Sequence, residues 1–246
     1  MPKQRVDQLL VERGLAESRA RAQALVMAGL VFSGAKRIDK PGATLAAEAP
    51  LAVKGKPHPW VSRGGVKLAH ALEHFAIDPK GCLCLDVGAS TGGFTEVLLA
   101  KGAAKVFAVD VGYGQLDWSL RQDKRVVVLE RTNARHLTRE QVPDPIDLVV
   151  CDASFIGLRT VLPAPLALTK PHAAMVALIK PQFEAGPEKV GKGGIVRDDA
   201  VRAEVCEAIR AWLAAQPGWT VLGIAPSPIE GADGNREFLI AARKES

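Results

Sequence analysis

Residues 85–99 read LDVGASTGGFTEVLL. The apolar run that leads into them closes on Asp86-Val87-Gly88, and helical periodicity resumes after Gly92-Gly93. The stretch is therefore expected to pass from a strand through a glycine turn into a helix. Such a unit opens a doubly wound α/β sheet, whose ligands sit at the carboxyl ends of the strands. Its spacing, D-x-G-x-S-x-G-G, departs from the G-x-G-x-x-G that receives a pyrophosphate. An acidic residue at the start of the turn repels a diphosphate and suits a cation, which favours the amino-acid end of S-adenosylmethionine over NAD. Gly88 and Gly92 are expected to let the backbone approach that ligand. Asp110, which ends the next apolar run VFAVD, is placed to accept hydrogen bonds from ribose hydroxyls.

Downstream, the runs KVFAVDV, VVVLE, IDLVVCDA, AAMVALIK, TVLGIAP and EFLIAAR follow CLCLDVG. They are short and nearly continuous, as strands covered on both faces must be. Helix-like segments such as GGFTEVLLAKG and DDAVRAEVCEAIRAWLAAQ lie between most of them. The expected fold is α/β, a doubly wound sheet of about seven strands. Two of the runs end on charge where core is expected: Asp152 closes the fourth and Lys180 the fifth. Glu237 opens the last run, and Lys67 stands in the first turn of an amphipathic helix, VKLAHALEHFA, ahead of the sheet. These four ionisable residues could converge at one crevice with Asp86.

The N-terminal part has a different composition. Residues 1–64 carry eleven Lys/Arg against five Asp/Glu, whereas the rest of the chain is nearly neutral. A basic attachment on a neutral body suits a polyanionic partner. RVDQLLVERGL and ESRARAQALVMAGLV read as two short helices, the second capped by Ser18 with Arg19 and Arg21 in its first turn. VFSGAKRIDKPGATL reads as a hairpin with Lys36 and Arg37 at its turn. The run RxDxLL, SRxxAxxLVxxGLV and basic hairpin resembles the small α+β RNA-binding fold shared by ribosomal protein S-four, pseudouridine synthases and tyrosyl-tRNA synthetases. That resemblance implies RNA contacts by Arg5, Arg19, Lys36 and Arg37. The expected domains are 1–57 for RNA binding, a Pro/Gly-rich linker over 58–64, and 65–246 for the α/β body. Trp60 and Val61 are expected to dock on one of them.

Composition excludes several other classes. No apolar run approaches the roughly 18 residues of a membrane span, and MPKQRVDQLL has no hydrophobic leader region, so a soluble, cytoplasmic protein is expected. Cys82, Cys84, Cys151 and Cys206 fall inside apolar runs without CxxC spacing and are expected to be buried thiols. No metal site is expected.

Lys67, Asp152, Lys180 and Glu237 resemble, in order and context, the Lys-Asp-Lys-Glu tetrad of FtsJ-type RNA ribose 2′-O-methyltransferases. With the basic module, WVSRGGVKL, DVGASTGGFT, VDVGYGQL and LIKPQFE, the chain resembles the TlyA-like, or hemolysin A, family over nearly its full length. The resemblance implies a Rossmann-like class I methyltransferase body with S-adenosylmethionine as cofactor. It assigns cofactor contact to Asp86, Gly88, Ser90, Gly92, Phe94 and Asp110, with Asn133 beside the adenine. It also implies ribosomal RNA or a ribosomal subunit as partner, with a cytidine ribose as target. In the linker HPWV stands where the family more often has an arginine-containing tetrapeptide. A ribose hydroxyl is a poor nucleophile at neutral pH and needs a base within reach. Lys180 is expected to be that base, oriented by Asp152, with Glu237 positioning Lys67. The alternative is a non-catalytic ribosome-binding factor with a degenerate methyltransferase body. A membrane-lytic role finds no amphipathic span to support it.

Overall fold

The structure, a computed structural model, describes residues 3–16, 18–54, 58–231 and 234–245. The chain divides into two compact units, Met1–Pro59 and Trp60–Ser246.

In the smaller unit, strand β1 (Lys3–Arg5) leads directly into helix α1 (Val6–Glu12), and helix α2 (Arg19–Met27) follows. Ser18 caps α2 as expected, its Oγ accepting the Arg21 N–H at 3.2 Å. Short strands β2 (Val31–Ser33), β3 (Lys36–Arg37), β4 (Thr44–Ala46) and β5 (Ala52–Val53) complete the unit. β1 pairs with β4, and β2 lies between β3 and β5, all antiparallel. Val6, Leu10, Ala22, Val26, Val31 and Ile38 form one core between helices and strands. One reading is corrected here. Lys36 and Arg37 are not the hairpin turn but its second strand; Ser33 pairs with Lys36, so the turn is Gly34-Ala35, where Gly34 supplies a φ of +62°.

The larger unit begins with helix α3 (Gly64–His74) and then alternates. Its strands are β6 (Leu83–Val87), β7 (Lys105–Val109), β8 (Val126–Leu129), β9 (Ile146–Cys151), β10 (Thr169–Ile179), β11 (Trp219–Pro226) and β12 (Phe238–Lys244). The helices between them include α4 (Gly93–Ala100), α5 (Trp118–Arg121), α6 (Leu158–Val161), α7 (Pro163–Ala167), α8 (Pro181–Glu184) and α9 (Asp199–Ala214). The strands form one sheet in the order β11-β12-β10-β9-β6-β7-β8, parallel from β10 to β8, with β12 antiparallel to both β10 and β11. All seven expected runs are strands. β10 starts earlier than its apolar run and absorbs a register shift between Thr169 and Ala174.

Period-two alternation sorts the side chains into two cores. Leu85, Val87, Phe107, Val109, Val149 and Cys151 pack on one face, while Cys84, Val106, Ala108, Leu148 and Val150 pack on the other against Leu68 of α3 and Leu98 of α4. Asp86 falls in the phase of Cys84, so the fold points a carboxylate toward α3 and α4. Trp60 and Val61 join this second core, which is where they dock. The chain runs from β6 outward to β8 and returns on the other side of β6 as β9. The crevice of a doubly wound sheet opens at that reversal.

Within the smaller unit, the side chain of Asp7 is fully buried, and it accepts hydrogen bonds from Arg5 (2.9 and 3.0 Å), Arg19 (3.0 Å) and Gln23 (3.0 Å). The Arg5 guanidinium, above all, holds this carboxyl well below the usual carboxylate range. Because the folded-state value is depressed, this stabilisation is present at neutral pH and is lost as pH falls below the usual carboxylate range. Asp7→Ala is expected to cost the unit about 1–3 kcal/mol. Hydrogen exchange should show faster amide exchange in α1 and α2 with the larger unit unaffected; unchanged protection in α1 and α2 would refute the role given to Asp7.

Candidate active site

The carboxyl ends of β6 and β9 are stitched together. Asp152, directly after β9, donates its backbone N–H to the Val87 carbonyl at 3.0 Å. Gly88 turns there with φ +82°, and a Cβ on it would stand 2.9 Å from the Ala153 backbone. Gly92, with φ +98°, starts α4 against Leu116 and Leu120, and Gly93 packs on Ser62 and the Gly65 amide. These glycines approach neighbouring protein atoms, so close packing alone accounts for them.

Around this turn stand three carboxylates. Asp86 is buried; Thr95 Oγ1 donates to its Oδ2 at 2.7 Å, while Oδ1 has no hydrogen-bond partner. Burial raises its pKa to about 7 despite the Thr95 hydrogen bond, and the nearby Asp152 and Asp110 add to the rise. A buried carboxylate oxygen without a donor is costly unless something completes it. Asp110, after β7, accepts the Ser90 N–H at 2.8 Å on Oδ2 and the Gly112 N–H at 2.7 Å on Oδ1. Ser90 itself is exposed in the left-handed region, with φ +48°.

On the other side of Gly88 the four ionisable residues come together. Lys67 from α3 donates to Glu237 Oε2 at 2.5 Å and lies 3.9 Å from Asp152 Oδ2. Lys180, the residue after β10, lies 2.7 Å from Asp152 Oδ1, an ion-pair contact outside hydrogen-bond direction. Its Nζ donates to the Asp152 carbonyl at 3.0 Å and to Ser154 Oγ at 2.8 Å. The result is an alternating chain, Lys180–Asp152–Lys67–Glu237, in which both lysines and Glu237 are buried. α3, β9, β10 and the start of β12 each contribute one member. A cavity of about 350 Å³, lined by Ser227, Ile229, Glu230, Arg236, Glu237 and Phe238 among others, borders its Glu237 end.

The remaining sequence-assigned residues are placed differently. Phe94 is 3% exposed and packs in the core with Leu68 and Leu98. Asn133 is exposed and caps the 3-10 turn Ala134–His136, accepting the Arg135 N–H at 3.1 Å. Its neighbour Thr132 donates to the Asp110 carbonyl at 3.0 Å, which keeps this segment beside the turn. In the smaller unit, Arg5 and Arg19 hold Asp7 while remaining partly exposed, Arg37 pairs with Asp39, and Lys36 is exposed. Sequence reasoning missed Thr95 and Ser154. Both lie inside or beside quoted motifs, but hydroxyls at such positions carry no distinguishing pattern. It also missed Phe155, 89% exposed with φ +64°, whose ring meets that of Phe183 at 5.1 Å.

Among the described residues, no cluster of three or more His, Cys, Asp or Glu is placed to hold a metal, and no helix is long and apolar enough to cross a membrane. Residues 60–244 match the FtsJ-like methyltransferase family, and residues 4–49 match the S4 domain. The 16S/23S rRNA (cytidine-2′-O)-methyltransferase TlyA of Mycobacterium tuberculosis is 51% identical over 243 residues, covering 98% of this chain and 90% of the relative. Hemolysin A of Brachyspira hyodysenteriae is 39% identical over 236 residues, covering 96% and 98%. A solved structure from Streptococcus thermophilus, assigned as a hemolysin, superposes with a TM-score of 0.78 at 43% identity, covering 100% of this chain and 90% of that one. The sheet order, the ion chain at its carboxyl edge and these matches together place the chain in the TlyA, or hemolysin A, family of FtsJ-like methyltransferases, with an S4 domain at its N-terminal end.

Proposed function

We propose that this enzyme methylates the 2′-hydroxyl of a cytidine ribose in ribosomal RNA, in the cytoplasm, with Lys180 as general base. The observation that carries the reading is the buried Lys180–Asp152–Lys67–Glu237 chain beside the Asp86 turn. When bound, S-adenosylmethionine supplies a methyl group activated on a sulfonium. The residues present fit it: the partnerless Asp86 oxygen suits its ammonium, and the free lone pairs of Asp110 suit ribose hydroxyls. Gly88, Ser90 and Gly92 shape the turn, Phe94 supports it from the core, and Asn133 borders the adenine side.

The protein's own task is alignment and proton removal. Lys180 takes the proton from the 2′-hydroxyl. Asp152 fixes the amine through its carbonyl and carboxylate, and Lys67, held by Glu237, keeps Asp152 in place. The smaller unit supplies affinity for the RNA backbone through its basic surface.

Lys180→Ala should retain S-adenosylmethionine binding and lose methyl transfer by at least ~10²-fold, with the parent product appearing as a 2′-O-methyl nucleoside after digestion. Base methylation in the parent, or full activity in the variant, would overturn the assignment. A carboxyl with a pKa of about 7 must be ionised to hold a cation, so cofactor affinity should fall about tenfold per pH unit below pH 7, with a proton released on binding. Calorimetry in buffers of different ionisation enthalpy measures both, and Asp86→Asn should bind weakly with no such pH dependence. Lys36→Glu should weaken RNA binding and reduce its salt slope by about one while sparing the cofactor. Arg19→Glu is the poorer test, since it sets a second carboxylate against Asp7.

A further inference from the structure

Lys180 Nζ has three oxygens within 3.0 Å: Asp152 Oδ1 at 2.7 Å, the Asp152 carbonyl at 3.0 Å and Ser154 Oγ at 2.8 Å. An ammonium has three N–H groups and no lone pair: it donates to the carbonyl and to Ser154 Oγ, and its charge is matched by the Oδ1 contact. A base must instead be a free amine, with two N–H groups and one lone pair. One of the three oxygens must then face that lone pair. A carbonyl and a carboxylate only accept, so either would be repelled. A hydroxyl can turn and donate.

We propose that Ser154 is the positioning residue that lets Lys180 alternate between its two protonation states, accepting from the ammonium and donating to the free amine. This rests on the reading of Lys180 as the base. Exposure assigns the rest of the cycle. Lys67, Lys180 and Glu237 are 6% exposed or less, whereas Ser154 is exposed. The ribose hydroxyl therefore reaches Lys180 from the Ser154 side. It takes over the donor position as the serine hydroxyl turns away. The 2′-O–H bond breaks and an N–H bond forms on Nζ, while the electron pair left on oxygen forms a bond to the methyl carbon of the sulfonium donor; the carbon–sulfur bond breaks, its pair returns to sulfur, and the donor leaves as a neutral thioether. The restored ammonium again donates to Ser154, and its extra proton leaves to solvent before the next turnover. The ionisable groups surrounding Lys180 are Asp152 after β9, Cys151 within β9, Lys67 from α3 across Asp152, and Glu237 before β12. None of them is a hydroxyl.

The test compares Ser154→Ala and Ser154→Thr in the full-length protein with ribosomal RNA. Ser154→Ala should lower kcat roughly ten- to hundredfold with KM for both substrates nearly unchanged. Removing a charge-assisted acceptor destabilises the ammonium, so the ascending limb of kcat against pH should also move to lower pH, by about 0.5–1 unit. Ser154→Thr, which keeps the hydroxyl, should restore most of the rate and the parent profile. Without cofactor or RNA, the Lys180 ε-carbon resonance, assigned by its loss in Lys180→Met, should titrate at lower pH in Ser154→Ala than in the parent. If Lys180→Ala is inactive while Ser154→Ala keeps the parent rate and profile, the serine has no such role. A reduced rate with an unmoved limb and an unmoved resonance would likewise overturn it. If Lys180→Ala is active, the base assignment itself falls.

Discussion

Charge compensation inside the larger unit constrains everything around it. Two lysines and a glutamate are taken almost wholly out of water at the edge of the sheet, and each would be strongly unfavourable alone. They are tolerated because Asp152 stands between the lysines and Glu237 closes the far end. The members come from α3, the ends of β9 and β10, and the approach to β12, so the compensation exists only when helix, parallel strands and antiparallel return are all in place. Removing one member leaves the others buried and unmatched. The same enclosure makes the chain chemically useful, because fixed charges act most strongly where water is scarce.

Much of this was legible in the sequence. The seven apolar runs are the seven strands because strands buried on both faces leave an unbroken apolar trace, and LDVGASTGGF marked the turn. The charged residues at Asp152 and Lys180 stood out against apolar runs that had no other reason to end on charge. Glu237 and Lys67 were legible through resemblance more than through pattern. What stayed hidden depends on the third dimension. The start of β10 involves a register shift that no period predicts. Lys36 and Arg37 were misplaced by two residues because Gly34-Ala35 closes a tighter turn than the basic pair suggested. Thr95 and Ser154 are ordinary hydroxyls until their partners are known.

The smaller unit shows the same economy of charge in a different setting. Its basic excess reads as a surface for a polyanion, yet Arg5 and Arg19 also hold the buried Asp7 and thereby join β1 to both helices. Their guanidiniums remain partly exposed, at 42% and 54% of the side chain. Stability and partner contact therefore share the same side chains. Lys36, exposed on β3, carries no such double duty.

The glycines of the cofactor turn have a consequence for how such loops are recognised. Gly88 lies against the Ala153 backbone, Gly92 against Leu116 and Leu120, and Gly93 against Ser62. Each is accounted for by the larger unit's own packing and, at Gly88 and Gly92, by a positive φ, whatever the crevice holds. A descendant that had abandoned methyl transfer would still have that reason to keep all three. It would have no such need for Asp86, whose buried oxygen has no partner within the protein; an apolar residue there would relieve the core. In chains of this architecture the glycine spacing therefore marks ancestry, while the acid at the head of the turn distinguishes a working enzyme from a scaffold that has outlived its chemistry.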